Sequence, residues 1–212
     1  SLLEGAVPRL LDEWQRFPQL WDACRFAVDR RSAEGQFILT GSPQPAQTDK
    51  ISHTGTGRAA WIRMRPMSLY ESGESNGAVS LEELFYSPLK GVKANELRLE
   101  DICYLLCRGG WPKALGKSER AALKQAYNYV DAVAQYDIRD VDGIRRSEET
   151  TRMLLRSFAR HQASQASFST IAADISANEK EKISDQTVAS YIKALQKMFV
   201  IEDMAAWNPN LR

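Results

Sequence analysis

Asp12 and Glu13 stand side by side behind the apolar pair Leu10-Leu11, and Thr40 and Ser42 close a second apolar run, Phe37-Ile38-Leu39. If both runs are strands of one parallel sheet, their ends open onto the crevice where open α/β sheets bind ligands. An Asp-Glu pair there suits a nucleoside triphosphate: Asp12 holds Mg²⁺ directly or through water, and Glu13 orients and deprotonates the attacking water. The same pair also fits an ordinary charged helix start. The second strand with its hydroxyl residues makes the site reading the more specific of the two. A phosphate-gripping loop belongs on an earlier strand. The sequence begins at Ser1, eleven residues before Asp12. It is therefore read as a fragment of a longer protein, cut inside an ATPase domain.

The elements that must hold these residues follow from local pattern. Residues 7–12 read as a strand. Pro18 suits a first helical turn and opens a helix over Gln19–Arg30, with Leu20, Cys24, Ala27 and Val28 as its buried stripe. Gln36–Leu39 is the next strand, and 42–57 is polar and rich in Gly and Pro, a surface loop. Ala59–Leu69 reads as a third strand, with Trp61, Ile62, Met64 and Met67 against Arg63 and Arg65, ending near Pro66. The order is a βαβ pattern.

Composition shifts at Glu71–Asn76, and 80–145 looks helical. Ser80 precedes Glu83 at capping-box spacing. Leu123, Ala126, Tyr127, Val130, Val133 and Ile138 form one stripe of a long helix. Three further short helices fill 150–212, carrying Leu154/Leu155/Phe158, Ile171/Ala172/Ile175 and Val188/Tyr191/Ile192/Leu195/Phe199. Ser184 is placed to cap the third of them, with Ile183 and Val188 as a hydrophobic staple. The run Phe199–Asp203 turns strand-like, so the unit reads as a winged helix. The fold class expected is α/β plus α: a partial parallel α/β core over 1–72, a helical lid and linker over 73–148, and a winged-helix-like domain over 149–212.

Composition narrows the function. Apolar residues make up 43% and charged residues 26%, with a net charge of +1, so no strong field toward nucleic acid or anionic membranes is expected. Cys24, Cys103 and Cys107 make no metal-ligand pattern and read as buried free thiols, which suits a reducing, cytoplasmic setting. No stretch has the ~20 apolar residues of a membrane span. The run Gly110–Ser118 imitates a phosphate loop, but five residues separate its glycines where four are required, and Pro112 would interrupt the N–H cradle.

The segments LLDEWQRFPQLWDACRFAVD, QFILTGSP, HTGTGRAAWIRMRPMSLYESGES, CRGGWP and YIKALQKMFVIEDMAAWNPNLR, in this order, resemble a bacterial and archaeal AAA-type ATPase family that pairs an ATPase domain with a C-terminal region of unknown function. The resemblance covers nearly the whole chain. It implies ATP and Mg²⁺ as ligands of the full-length parent, which carries an upstream P-loop and a further C-terminal domain. It implies that Asp12 and Glu13 end the Walker B strand, with Asp12 on the metal and Glu13 catalytic. It also implies that Thr40, or alternatively Ser42, senses the γ-phosphate, that Arg58 is an arginine finger, and that Gly110 and Pro112 belong to a lid element near the nucleotide. Walker B strands usually carry four apolar residues before the acids. Here Pro8 and Arg9 leave two.

The function expected is that of part of an ATP-binding, ATP-hydrolysing molecular switch, with the fragment itself inactive for want of the P-loop. A finger acting between subunits would make it a homo-oligomer. The alternative is a winged-helix binding module for DNA or a protein partner, with a non-functional nucleotide site. In 150–212 eight Lys or Arg face six Asp or Glu, a weak balance for DNA. Lys193 and Lys197, one turn apart on the third helix, are the DNA contacts expected. Residues 150–212 are expected instead to pack against the ATPase core or the further C-terminal domain, with Tyr191 and Trp207 supplying apolar area for that contact.

Overall fold

The computed structural model describes residues 2–41, 57–88, 91, 93 and 95–204. The chain divides into two compact units, one made of residues 1–61 and 134–212 and the other of residues 62–133.

The first unit opens with β1 (Arg9–Asp12), α1 (Gln19–Arg31) and β2 (Phe37–Thr40). β1 and β2 pair in parallel, in a register that sets Leu11 beside Leu39 and Asp12 beside Thr40. This is the βαβ crossover expected, with β2 shifted one residue later. Leu11, Trp14, Trp21, Cys24 and Ala27 are buried along it. Trp21 stacks on Trp61 at 5.3 Å between ring centroids, and Trp14 lies 5.6 Å from Trp21. The helix ends at Ser32, in the left-handed region at φ 49°, whose N–H donates to the Val28 carbonyl.

The third strand expected over 59–69 does not form: residues 59–68 have no ladder partner. Its apolar alternation does not report burial, since Ile62 and Met64 are each 90% exposed. Trp61 is held by aromatic stacking on Trp21 instead of by a sheet.

The second unit carries α2 (Leu81–Tyr86), α3 (Leu99–Arg108) and α4 (Glu119–Ala132). The Ser80 hydroxyl accepts from the Glu83 N–H, the cap its spacing predicts. Arg108 is buried and paired with Glu74, and it also donates to Ser72 Oγ. The Glu74 carboxyl is held below its usual range, first by the hydrogen bond from Arg108. Cys24 is buried, but Cys103 and Cys107 are exposed, because the face of α3 that bears them is uncovered. Burial pushes the Cys24 thiol up.

The chain passes from α4 through a π-turn, Val133–Asp137, into α5 (Ile138–Asp140). The first unit is completed by α6 (Glu148–Arg160), α7 (Phe168–Glu179) and α8 (Asp185–Lys197). Leu154, Ile171, Ile175, Val188 and Leu195 are almost fully buried and make the shared core of the three helices. Arg156 pairs with Glu179 and Arg160 with Asp174. Higher numbers on α6 thus meet lower numbers on α7, so the two run antiparallel. Ser184 caps α8 through the Thr187 N–H, as its position predicts.

After α8 the chain closes the helix in place of starting a strand. Phe199 takes φ 58°, its N–H donates to Gln196 and the Val200 N–H donates to Leu195. This is the 6→1 and 5→2 pairing of a Schellman cap. Among the described residues no strand follows α8. Trp207 lies outside them. Tyr191 is buried, its hydroxyl accepts from the Ser147 N–H at 2.8 Å, and its ring lies 5.6 Å from the Arg146 guanidinium. It is a core residue that ties α8 to the start of α6, and it offers no face to a partner.

Arg146 is the most enclosed ionic residue of this unit. Its side chain is 2% exposed and it forks onto Asp142 at 2.6 and 2.9 Å, with a further bond to Ser190. Arg146→Ala strands the Asp142 carboxylate and removes the cation over Tyr191. Truncating a buried pair costs about 3–5 kcal/mol, and the low end, about 3 kcal/mol, is expected because Asp142 keeps some access to water. A urea midpoint shift worth less than about 1 kcal/mol at unchanged slope would show the pair to be inconsequential. The Asp142 carboxyl is held down, first by the Arg146 hydrogen bond. Its contribution is therefore full above the unfolded carboxylate value of about 4 and is lost as pH falls through the lower folded value.

Candidate functional site

The parallel register brings Asp12 and Thr40 to the same end of adjacent strands. There the Thr40 hydroxyl donates to Asp12 Oδ1 at 2.6 Å. A β-branched residue at a strand end has few rotamers, so Thr40 fixes the carboxylate and leaves Oδ2 with no partner among the described residues. Glu13 follows at φ 54°, ψ 37°, a left-handed conformation for a residue with a side chain. Such strain costs about 1–3 kcal/mol and collects at functional sites. It turns the chain sharply out of β1 into the 3₁₀ turn Trp14–Arg16, so the two neighbouring carboxylates do not alternate as they would along a strand.

Gln15 joins this group, and the sequence reading missed it. Its Nε2 donates to Glu13 Oε2 at 3.0 Å. Its Oε1 is buried without a hydrogen-bond partner, and a Cβ added at Gly41 would fall 2.0 Å from it. Gly41 therefore makes room for the amide that holds Glu13. The signal was present in the sequence: a polar residue two places past the acid pair and a glycine directly after Thr40.

The donor set fits a hard divalent cation carried by a nucleotide. Asp12 offers one oriented carboxylate oxygen in an exposed position, which suits contact with Mg²⁺ through at most one or two protein oxygens. Among the described residues no group of three His, Cys, Asp or Glu is built to hold a metal without such a ligand.

The other candidates fall elsewhere. Ser42 lies outside the described residues. Arg58 Nε donates to Asp29 Oδ1, on α1, at 2.5 Å, with both side chains partly exposed. Gly110 and Pro112 belong to the second unit. The Met67 N–H donates to the Gly110 carbonyl at 2.8 Å, and a Cβ on Gly110 would come within 2.3 Å of the Met67 carbonyl oxygen. Only glycine fits there without a shift of the Met67 backbone. Pro112 opens the 3₁₀ turn Pro112–Ala114, and Trp111 packs on Tyr129 at 4.5 Å. Lys193 and Lys197 are exposed on α8. The charge of Lys197 reaches Asp142, whose carboxyl it helps to lower. No helix among the described residues is long and apolar enough to cross a membrane.

Two family models match the chain. A model described as an AAA domain matches residues 3–73, which hold Asp12, Glu13, Thr40 and Arg58. A model described as a domain of unknown function (DUF8612) matches residues 99–212. No curated protein and no solved structure gives a significant match. The second family match spans more than half of the chain, and with the first it places the protein: the chain belongs to an AAA-type family with a C-terminal domain of unknown function.

Proposed function

We propose that this chain supplies the hydrolytic half of an ATPase site and acts as a nucleotide-driven molecular switch. The observation that carries the reading is the Thr40–Asp12 hydrogen bond across parallel strands, with Glu13 directly after it. Asp12 holds the cation that accompanies ATP, and Thr40 fixes the orientation of that carboxylate and reads the γ-phosphate. Glu13, steadied by Gln15, takes the proton from the attacking water. Mg²⁺, when bound with ATP, supplies neutralisation of phosphate charge. Arg58 leaves Asp29 to meet the charge that spreads over the transferring phosphoryl group, for which a planar guanidinium is suited.

These 212 residues contain no Gly-x-x-x-x-Gly-Lys-Ser/Thr, so turnover requires a phosphate loop from outside them. Through the same strand ends, hydrolysis would alter how the α/β core and the helical regions pack, the usual route by which a γ-phosphate controls a switch. The test is where nucleotide-bound Mn²⁺ acts on the chain. Residues 12, 13 and 40 are the expected positions, and an effect confined to Gly110–Ser118 would overturn the reading.

A further inference from the structure

The helical part of the first unit carries a second concentration of chemistry that the nucleotide site does not use. An open cleft of about 800 Å³ lies at the start of α6 and is walled by Arg139, Arg145, Arg146, Arg152 and Arg156. Only Glu148 and Glu149 oppose them in the lining. Glu148 is already taken up by Arg152, at 2.9 Å, and by the Gln135 amide. The chain as a whole is nearly neutral, whereas the lining of this cleft holds five arginines against two glutamates.

The five arginines divide into two sets. Arg146 and Arg156 are fastened to Asp142 and Glu179 and Arg152 to Glu148, and they form a fixed floor. Arg146 Nε is nevertheless buried with no hydrogen-bond partner. Arg139 and Arg145 are exposed and carry no ion pair among the described residues. They stand on the rim with their guanidinium forks open.

We propose that this cleft binds the sugar–phosphate backbone of duplex nucleic acid. Arginine forks match phosphate oxygens two at a time, and the positive end of the α6 dipole adds to the attraction. The lining has no aromatic ring, so it has no surface on which to stack a base. That excludes the usual grip on single strands or on a nucleoside and leaves backbone phosphates of a paired helix as the ligand. The contacts lie on α6 and the segment before it, and Lys193 and Lys197 on α8 are not the reading surface. Arginine stays charged throughout the ordinary pH range, so binding is flat in pH and steep in salt.

The experiment is a fluorescence-anisotropy titration of the full 212-residue chain with a random DNA duplex at several salt concentrations. A dissociation constant on the order of 10⁻⁵ M is expected near 150 mM salt, tightening as salt is lowered. Arg139→Ala with Arg145→Ala should weaken binding about tenfold and reduce the log–log salt slope by about 2, one contact for each residue. Both are exposed rim residues, so circular dichroism should show an unchanged fold. Lys193→Ala with Lys197→Ala should leave affinity and slope as they are. Loss of binding in the lysine pair with none in the arginine pair would overturn the proposal. So would single-stranded DNA binding as well as duplex, absence of binding at low salt, or polyglutamate competing as well as DNA at matched charge. That last result would assign the cleft to an acidic protein segment.

Discussion

Glu13→Gln should abolish ATP turnover and preserve ATP binding in a protein whose phosphate loop completes the site. The amide matches the carboxylate in size and can still accept the Gln15 hydrogen bond seen at Glu13 Oε2, but it cannot take a proton from water. Positioned general bases contribute about 10²–10⁴-fold, and that factor is the loss expected. Backbone conformation does not confuse the comparison. Residue 13 sits in the left-handed region, and Gln tolerates it no better and no worse than Glu. The measurement is single-turnover hydrolysis beside an equilibrium nucleotide titration. Turnover within threefold of the parent would show that Glu13 serves only to turn the chain out of β1.

Arg58→Ala should slow turnover by a factor on the order of 10³, the lower end of what a charge-stabilising arginine supplies in phosphoryl transfer. In the structure this residue rests on Asp29. Both side chains are partly exposed, and such pairs are worth about 0–1 kcal/mol, so transfer of the guanidinium to a phosphate is not opposed by much. If the arginine works across a subunit boundary, specific activity will rise with protein concentration and the variant will lose that rise. Unchanged kinetics in Arg58→Ala would contradict the finger role.

The elements around the site were largely legible in the sequence. The strand–helix–strand order, the Ser80 and Ser184 caps and the three helices of 148–197 each follow from local pattern, because a 2- or 3.6-residue period and a capping hydroxyl are written in neighbouring residues. The failures have a common cause. Residues 59–69 alternate like a strand, but a strand needs a ladder partner, and no local pattern supplies one; Trp61 found a ring to stack on instead. Tyr191 has the composition of a docking residue, yet its hydroxyl is committed to the Ser147 N–H, a contact 44 residues away. The same limit hid the Arg58–Asp29 pair, a contact 29 residues apart. Asp12 and Thr40 could be paired in advance only because parallel strands align their ends.

The account stands on the nucleotide meeting the ends of β1 and β2. Mn²⁺ replaces Mg²⁺ at oxygen ligands, and its unpaired electrons broaden nearby amide resonances even at low occupancy. The decisive measurement is an NMR titration of the 212-residue chain with Mn²⁺ and ATP, beside calorimetry expected to give an affinity weaker than about 1 μM. The prediction is broadening at residues 12, 13 and 40 that requires ATP and disappears in Asp12→Asn, whatever happens at the arginine cleft. Undisturbed resonances at those three positions, or broadening there that persists in Asp12→Asn, would contradict it.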